Sequence, residues 1–226
     1  MKSMKFGIKS QLLFLGFIAT VSLTAPAFAL DAVEQLKAFT KQVKSAEGEF
    51  VQQQLSAKNI AEGKTKVTRQ TSGKFTFVRP GKFSWETQKP FEQLLIADGK
   101  QLLMWDKDLN QLTYRSANQA LASTPAAILF GDSALDQFFN INPLEDKAGM
   151  SWVELTPKAG KGSSDDIPYG KISIGMQNDQ PQAMELQDAF GNVVTLTFSK
   201  IKTNIAVPAS KFNFVPPKGA EIVRMK

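Results

Sequence analysis

The chain is expected to fold as a mainly β protein, an antiparallel sandwich or barrel with meander connectivity and a few short helices. Three observations predict this. From Ala46 onward, short segments of alternating polarity are separated by turn residues at close spacing. Asp98-Gly99 between two apolar runs is a favoured two-residue hairpin turn, and Ala189-Phe190-Gly191-Asn192 makes a slightly longer one. Helical patterning is confined to an N-terminal segment and one mid-chain stretch.

In chain order, residues 1–29 read as a cleavable secretory signal peptide. Lys2, Lys5 and Lys9 precede an apolar run from Leu12 to Leu23, and Ala27-Phe28-Ala29 forms the small-residue exit. The run is about a dozen residues, short of the roughly 20 that span a bilayer as a helix. Residues 30–226 then have the length of a single domain with one core. The chain has no cysteine, which excludes disulfides. Leu30 stands where a lipid-anchored protein needs a thiol, so the processed chain is expected to be free in solution.

Residues 31–44 place Val33, Leu36, Phe39, Thr40 and Val43 on one helical face, with Asp31 as cap. This helix should lie across one side of the sheet. The strands expected next are Glu47 to Leu55, Thr65 to Thr71, Gly73 to Arg79, Lys82 to Thr87, Gln93 to Ala97, Gln101 to Asp106 and Gln111 to Tyr114. Thr124-Pro125, a cap with proline at the first helical position, opens a short apolar helix through Ile128, Leu129 and Phe130. Asp132 can cap another, carrying Leu135, Phe138 and Phe139. A helical insertion in a β meander must cover one face or the mouth, which makes Pro125, Ile128, Leu129 and Phe130 lid candidates. Further strands are expected at Ser151 to Thr156, Lys171 to Gln177, Ala183 to Asp188, Asn192 to Lys200 and Lys211 to Val215, with a surface loop at Gly160 to Pro168.

Histidine is absent, which removes Ser-His and Cys-His nucleophile pairs, neutral-pH proton shuttles and ordinary zinc sites. No metal or cofactor is expected, and catalytic residues are not assigned. A paired-carboxylate hydrolase would need converging acids, yet Asp98, Asp106, Asp108 and Asp188 fall in sequences that read as turns. The formal charge of +6 includes the three leading lysines and no acid from that segment, which leaves +3 for residues 30–226. That bias suits anionic headgroups or an acidic partner, and it is too small and dispersed for nucleic acid.

Phe75, Phe77 and Arg79 share one face by the period of two, so an arginine ends an aromatic row. Phe83 and Trp85 follow on the next strand, and Leu94, Ile96, Leu103 and Trp105 on the next pair are assigned to the same apolar face. This face is either a filled core or the lining of a cavity. Arg79 must satisfy five donors, either on carbonyls at the end of a covering helix or by reaching past the rim to water.

Arg79-Pro80-Gly81-Lys82-Phe83-Ser84-Trp85, Ala97-Asp98-Gly99-Lys100, Trp105 to Gln111, and Thr124-Pro125-Ala126 occur in that order. Phe50-Val51-Gln52 stands before these blocks, and Leu155-Thr156-Pro157 and Phe212 to Gly219 after them. The ordered set resembles the LolA family of periplasmic lipoprotein carriers over essentially the whole processed chain. The resemblance implies an incomplete, strongly curved antiparallel β-barrel, with short helices as a lid over a hydrophobic cavity that takes lipoprotein acyl chains. It implies that Arg79 hydrogen-bonds to the lid and holds the empty carrier closed, and that Phe83 tunes hold and release. The implied partners are acylated lipoproteins as cargo, an inner-membrane ABC-type releasing complex as donor and an outer-membrane lipoprotein receptor as acceptor. Trp105 in place of a common Tyr, and an acidic Gly160 to Pro168 loop, depart from the pattern. A monomeric periplasmic carrier is the expectation; a periplasmic binding protein for a glycolipid or fatty acid is the alternative.

Overall fold

The computed structural model describes residues 31–64, 66–116, 129, 135–158 and 168–225. The expected signal peptide therefore lies outside the described residues, as does the 160–168 loop except for Pro168. The N-terminal helix is α1 (Ala32–Gln42). The Asp31 carboxylate accepts from the Val33 N–H at 2.6 Å, satisfying one of the donors a helix start leaves unpaired. Leu36, Phe39 and Val43 are buried as their spacing requires, and Val33 packs beside them.

β1 (Ser45–Leu55) follows, then a one-turn helix α2 (Ala57–Ala61) and a meander of β2 (Val67–Val78), β3 (Lys82–Lys89), β4 (Gln93–Asp98), β5 (Gln101–Asp106) and β6 (Gln111–Ser116). A short helix α3 (Leu135–Phe138) leads into a second meander: β7 (Phe139–Lys147), β8 (Met150–Pro157), β9 (Tyr169–Gln177), β10 (Gln180–Asp188) and β11 (Val193–Thr203). β1 joins the two, pairing antiparallel with β2 on one side and β11 on the other. With β12 (Glu221–Arg224) at one edge, the result is one curved, unclosed sheet in the order β12-β6-β5-β4-β3-β2-β1-β11-β10-β9-β8-β7. β12 runs parallel to β6 and covers that edge. This is the incomplete antiparallel barrel that the family resemblance implies.

Three expectations change. The two strands expected around Ser72 are one continuous β2, because Thr71, Ser72 and Gly73 all pair with β1 without interruption. Phe139 starts β7 rather than ending a helix, pairing with Pro157. Lys211 to Val215 is no strand: residues Ala209–Phe212 form a 3-10 turn and residues 213–217 join no strand. Its aromatic residues pack down on the sheet instead of joining it, with Phe212 buried against Ile96, Leu103, Trp105 and Leu112.

Among the described residues two apolar clusters result, one on each face. The larger lies on the concave side between the sheet and α1, which lies over β7 to β10. The smaller lies beneath the C-terminal segment on the convex side of β4 to β6. Among the described residues no helix is long and apolar enough to cross a membrane.

Candidate functional site: the concave face and its arginine

Phe75 and Phe77 project from β2 into the concave cluster, and the register places Trp85 opposite Phe75 and Phe83 opposite Phe77. Side chains directly opposite in an antiparallel pair share a face, so the four aromatics form one patch. Phe50 of β1 stacks on Trp85 with ring centroids 3.7 Å apart, and Phe198 of β11 meets Phe75 edge-on at 5.7 Å. Glycines make room for these rings. A Cβ on Gly73 would lie 1.8 Å from the Glu86 carbonyl oxygen and 3.0 Å from the Phe50 ring. One on Gly48 would lie 2.6 Å from Cζ of Phe75. All four expected aromatics are almost fully buried, at 6 % exposure or less.

Arg79 ends this row. Its backbone N–H donates to the Lys44 carbonyl at 2.8 Å, which ties the end of β2 to the segment just after α1. Its Nε donates to the carbonyl of Val43, the C-cap residue of α1, at 3.0 Å, and Nη2 donates to the carbonyl of Leu129 at 2.7 Å. The guanidinium carbon also sits 4.9 Å from the Phe77 ring centroid and 5.8 Å from that of Phe39. A cation at a helix C-terminus meets the negative end of the helix dipole and its unpaired carbonyls. Of these two carbonyls, that of Val43 belongs to the end of a covering helix.

Leu94, Ile96, Leu103 and Trp105 are placed differently from the expectation. Trp85 pairs with Leu95 and Phe83 with Ala97; Leu95 in turn pairs with Met104 and Ala97 with Leu102. The concave residues of β4 and β5 are therefore Leu95, Ala97, Leu102 and Met104. Leu94, Ile96, Leu103 and Trp105 point to the convex side, where Trp105 lies 5.2 Å from Phe214. The error is one of parity. Leu94-Leu95-Ile96-Ala97 and Leu102-Leu103-Met104-Trp105 are apolar on both faces because both faces are covered, so alternation carries no signal there.

Of the lid candidates, Pro125, Ile128 and Phe130 lie outside the described residues. Leu129 is described, is buried and supplies the carbonyl that Arg79 holds. Gln52, Gln54, Arg69 and Thr71 continue the concave face toward its rim; the sequence reading assigns none of them to the site, although the alternation from Phe50 through Gln52 to Gln54 carries the signal.

The turn aspartates serve their own turns. Burial works against the Asp98 charge, but the N–H groups of Gln101 and Lys100, at 2.9 and 2.8 Å, outweigh it and hold the carboxyl below its ordinary value. Asp188 is lowered chiefly by the Asn192 side chain, with further backbone donors from Asn192 and Phe190. Asp106 accepts from Leu109 N and from the Gln93 amide. Among the described residues no three acidic side chains are grouped so as to hold a metal ion.

Comparison with known proteins agrees with this architecture. Residues 41–215 match the family model described as outer membrane lipoprotein carrier protein LolA. The outer-membrane lipoprotein carrier protein of Ralstonia nicotianae is 46% identical over 221 residues, covering 97% of this chain and 99% of its own. That of Cupriavidus pinatubonensis is 44% identical over 207 residues, covering 92% and 94%. An uncharacterized conserved protein from Thermus thermophilus shares the fold at a TM-score of 0.53 and 15% identity, over 86% of this chain and 99% of its own. By the extent of the family match and the identity to full-length relatives, the chain belongs to the LolA family of outer membrane lipoprotein carrier proteins.

Proposed function

We propose that the protein is a soluble periplasmic carrier that shields lipoprotein acyl chains against its concave face on their way to the outer membrane. The observation that carries this reading is the pairing of an aromatic concave face with Arg79, which pins Val43 and Leu129 across its end. Each buried methylene is worth roughly 0.8 kcal/mol, so one long acyl chain represents on the order of 10 kcal/mol when fully sheltered. A carrier that must release such a ligand needs a competing state, and the closed state supplies one. Phe75, Phe77, Phe83 and Trp85 pack on protein in it, and Arg79 regains its bonds when cargo leaves. No hydrolysis by the carrier is required.

In this reading residues 1–29 are removed on export and residues 30–226 act as one monomeric domain. Pro125, Ile128 and Phe130 form the lid with Leu129. An inner-membrane ABC-type complex supplies the cargo, and an outer-membrane lipoprotein receptor accepts it.

The test is native mass spectrometry of the processed chain, expressed in a Gram-negative periplasm and purified without detergent, beside its Arg79→Leu variant. Lipoprotein bound and accumulating on the variant is the expected result. A glycolipid or fatty acid in its place would establish the alternative cargo. No amphiphile on either form, and no uptake of an apolar fluorescent probe, would make the concave face a filled core.

A further inference from the structure

The concave face changes character toward the rim that carries the β1–β2 and β3–β4 connections. Along β1, Phe50 gives way to Gln52 and Gln54; along β2, Gly73 gives way to Thr71 and Arg69; along β3, Trp85 gives way to Thr87. The register sets Gln52 opposite Thr71, Gln54 opposite Arg69 and Thr87 opposite Gln93, so these side chains share the face of Phe50 and Trp85. They surround a recess of about 270 Å³ that Trp85 and Tyr169 also line.

The recess is rich in donors. Trp85 is only 6 % exposed, yet its indole N–H has no acceptor among the described residues and is not sealed from solvent. Among the described residues, the side chains of Gln52, Gln54, Arg69 and Thr71 and the Tyr169 hydroxyl likewise have no hydrogen-bond or ion-pair partner. Burial, with a contribution from Asp188, raises the Tyr169 phenol above its ordinary value, so it remains a donor at neutral pH. The nearby Asp106 carboxylate is already engaged by Gln93 and Leu109. Trp85 apart, these donors are half-buried or exposed, and they stand where an apolar surface meets water.

We propose that this recess binds the carbonyl oxygens at the head of the cargo's acyl chain, with Trp85, Gln52 and Arg69 as donors. The inference rests on the carrier reading above. An acyl chain is joined to its protein through an ester or amide carbonyl, so a chain laid along the aromatic face presents its first acceptors where the face turns polar. A free fatty acid offers the same acceptor chemistry through its carboxylate.

The experiment compares three probes by calorimetry: a peptide carrying a serine O-palmitoyl ester, the same peptide with an O-hexadecyl ether, and palmitate. Each is titrated into the wild type, Gln52→Leu, and Arg69→Met, the last an exposed position where folding is not at stake. The wild type is expected to bind the ester about tenfold more tightly than the ether, the scale of one or two net hydrogen bonds. Each variant should lose part of that preference by weakening the ester alone. Equal binding of ester and ether by the wild type, or an undiminished preference in both variants, would overturn the proposal and leave the carrier reading standing. Preference for palmitate with no ester-over-ether discrimination would overturn it in favour of a carboxylate site. Binding of none of the probes would overturn the carrier reading as well.

Discussion

The Arg79 Nη2 group donates to the carbonyl of Leu129 at 2.7 Å, joining the end of β2 to a segment fifty residues further along the chain. The same guanidinium donates through Nε to Val43, so one side chain holds two covering segments to the sheet. Replacing it with leucine leaves both carbonyls without their donor. Arg79→Leu should cost about 1–3 kcal/mol of stability in the empty protein, measured by urea denaturation. Arg79→Lys should recover only part, because an ammonium cannot reproduce the fork. Stability equal to wild type in Arg79→Leu would mean that the two bonds contribute nothing to the stability of the fold.

The opposite faces of β4 and β5 separate packing from binding. Trp105→Ala should cost about 3–5 kcal/mol through the convex cluster, where Trp105 meets Phe214, and leave uptake of an apolar probe by the folded protein unchanged. Phe83→Leu, on the concave side, should alter probe affinity at a smaller stability cost of about 1 kcal/mol. If Trp105→Ala abolished uptake by folded protein, the convex cluster would have to take part in binding.

Gly73 lies where Phe50 crosses to stack on Trp85. A methyl group there would meet the Glu86 carbonyl at 1.8 Å, backbone that cannot swing aside as a side chain does. Gly73→Ala is therefore expected to lose more than about 3 kcal/mol, read as a lowered urea midpoint. It should also disturb the near-ultraviolet signal of the Phe50–Trp85 pair.

Asp98 gives a pH dependence of known sign. Its carboxyl is lowered in the folded protein, so the stabilisation is present above the ordinary carboxylate value of about 3.9 and is lost as the pH falls through the lowered native value. Asp98→Asn should be less stable than the wild type at pH 7 by about 1 kcal/mol, and the difference should vanish in acid. Denaturation curves across that range check it; a difference that grew in acid would contradict the assignment.

Much of the fold is legible in the sequence because its signals are local. Asp31 caps α1 where the sequence places a cap, and Asp98-Gly99 turns β4 into β5. The aromatic row of Phe75, Phe77, Phe83 and Trp85 stands on one face because each strand there alternates apolar and polar residues. The row's counterpart on β4 and β5 is read with the wrong parity, since a strand buried on both sides does not reveal which side is which. Strands β7 and β12 escape a sequence reading for a related reason. They are sheet edges with mostly exposed residues, and their strand character comes from pairing with β8 and β6 rather than from apolar alternation.

Local patterning and composition are enough to show that the chain is mainly β, that it has neither the histidine nor the cysteine for most catalytic chemistry, and that an arginine closes an aromatic row. Turn chemistry, side-chain alternation and composition act over a few residues, and they can be read without knowing what lies opposite. That β1 joins the two meanders, that the C-terminal segment covers the convex face, and that Arg79 reaches Val43 and Leu129 emerge from the folded topology. Those outcomes depend on contacts between residues far apart in the chain, where burial and hydrogen bonding are settled by whichever surfaces the folded topology brings together.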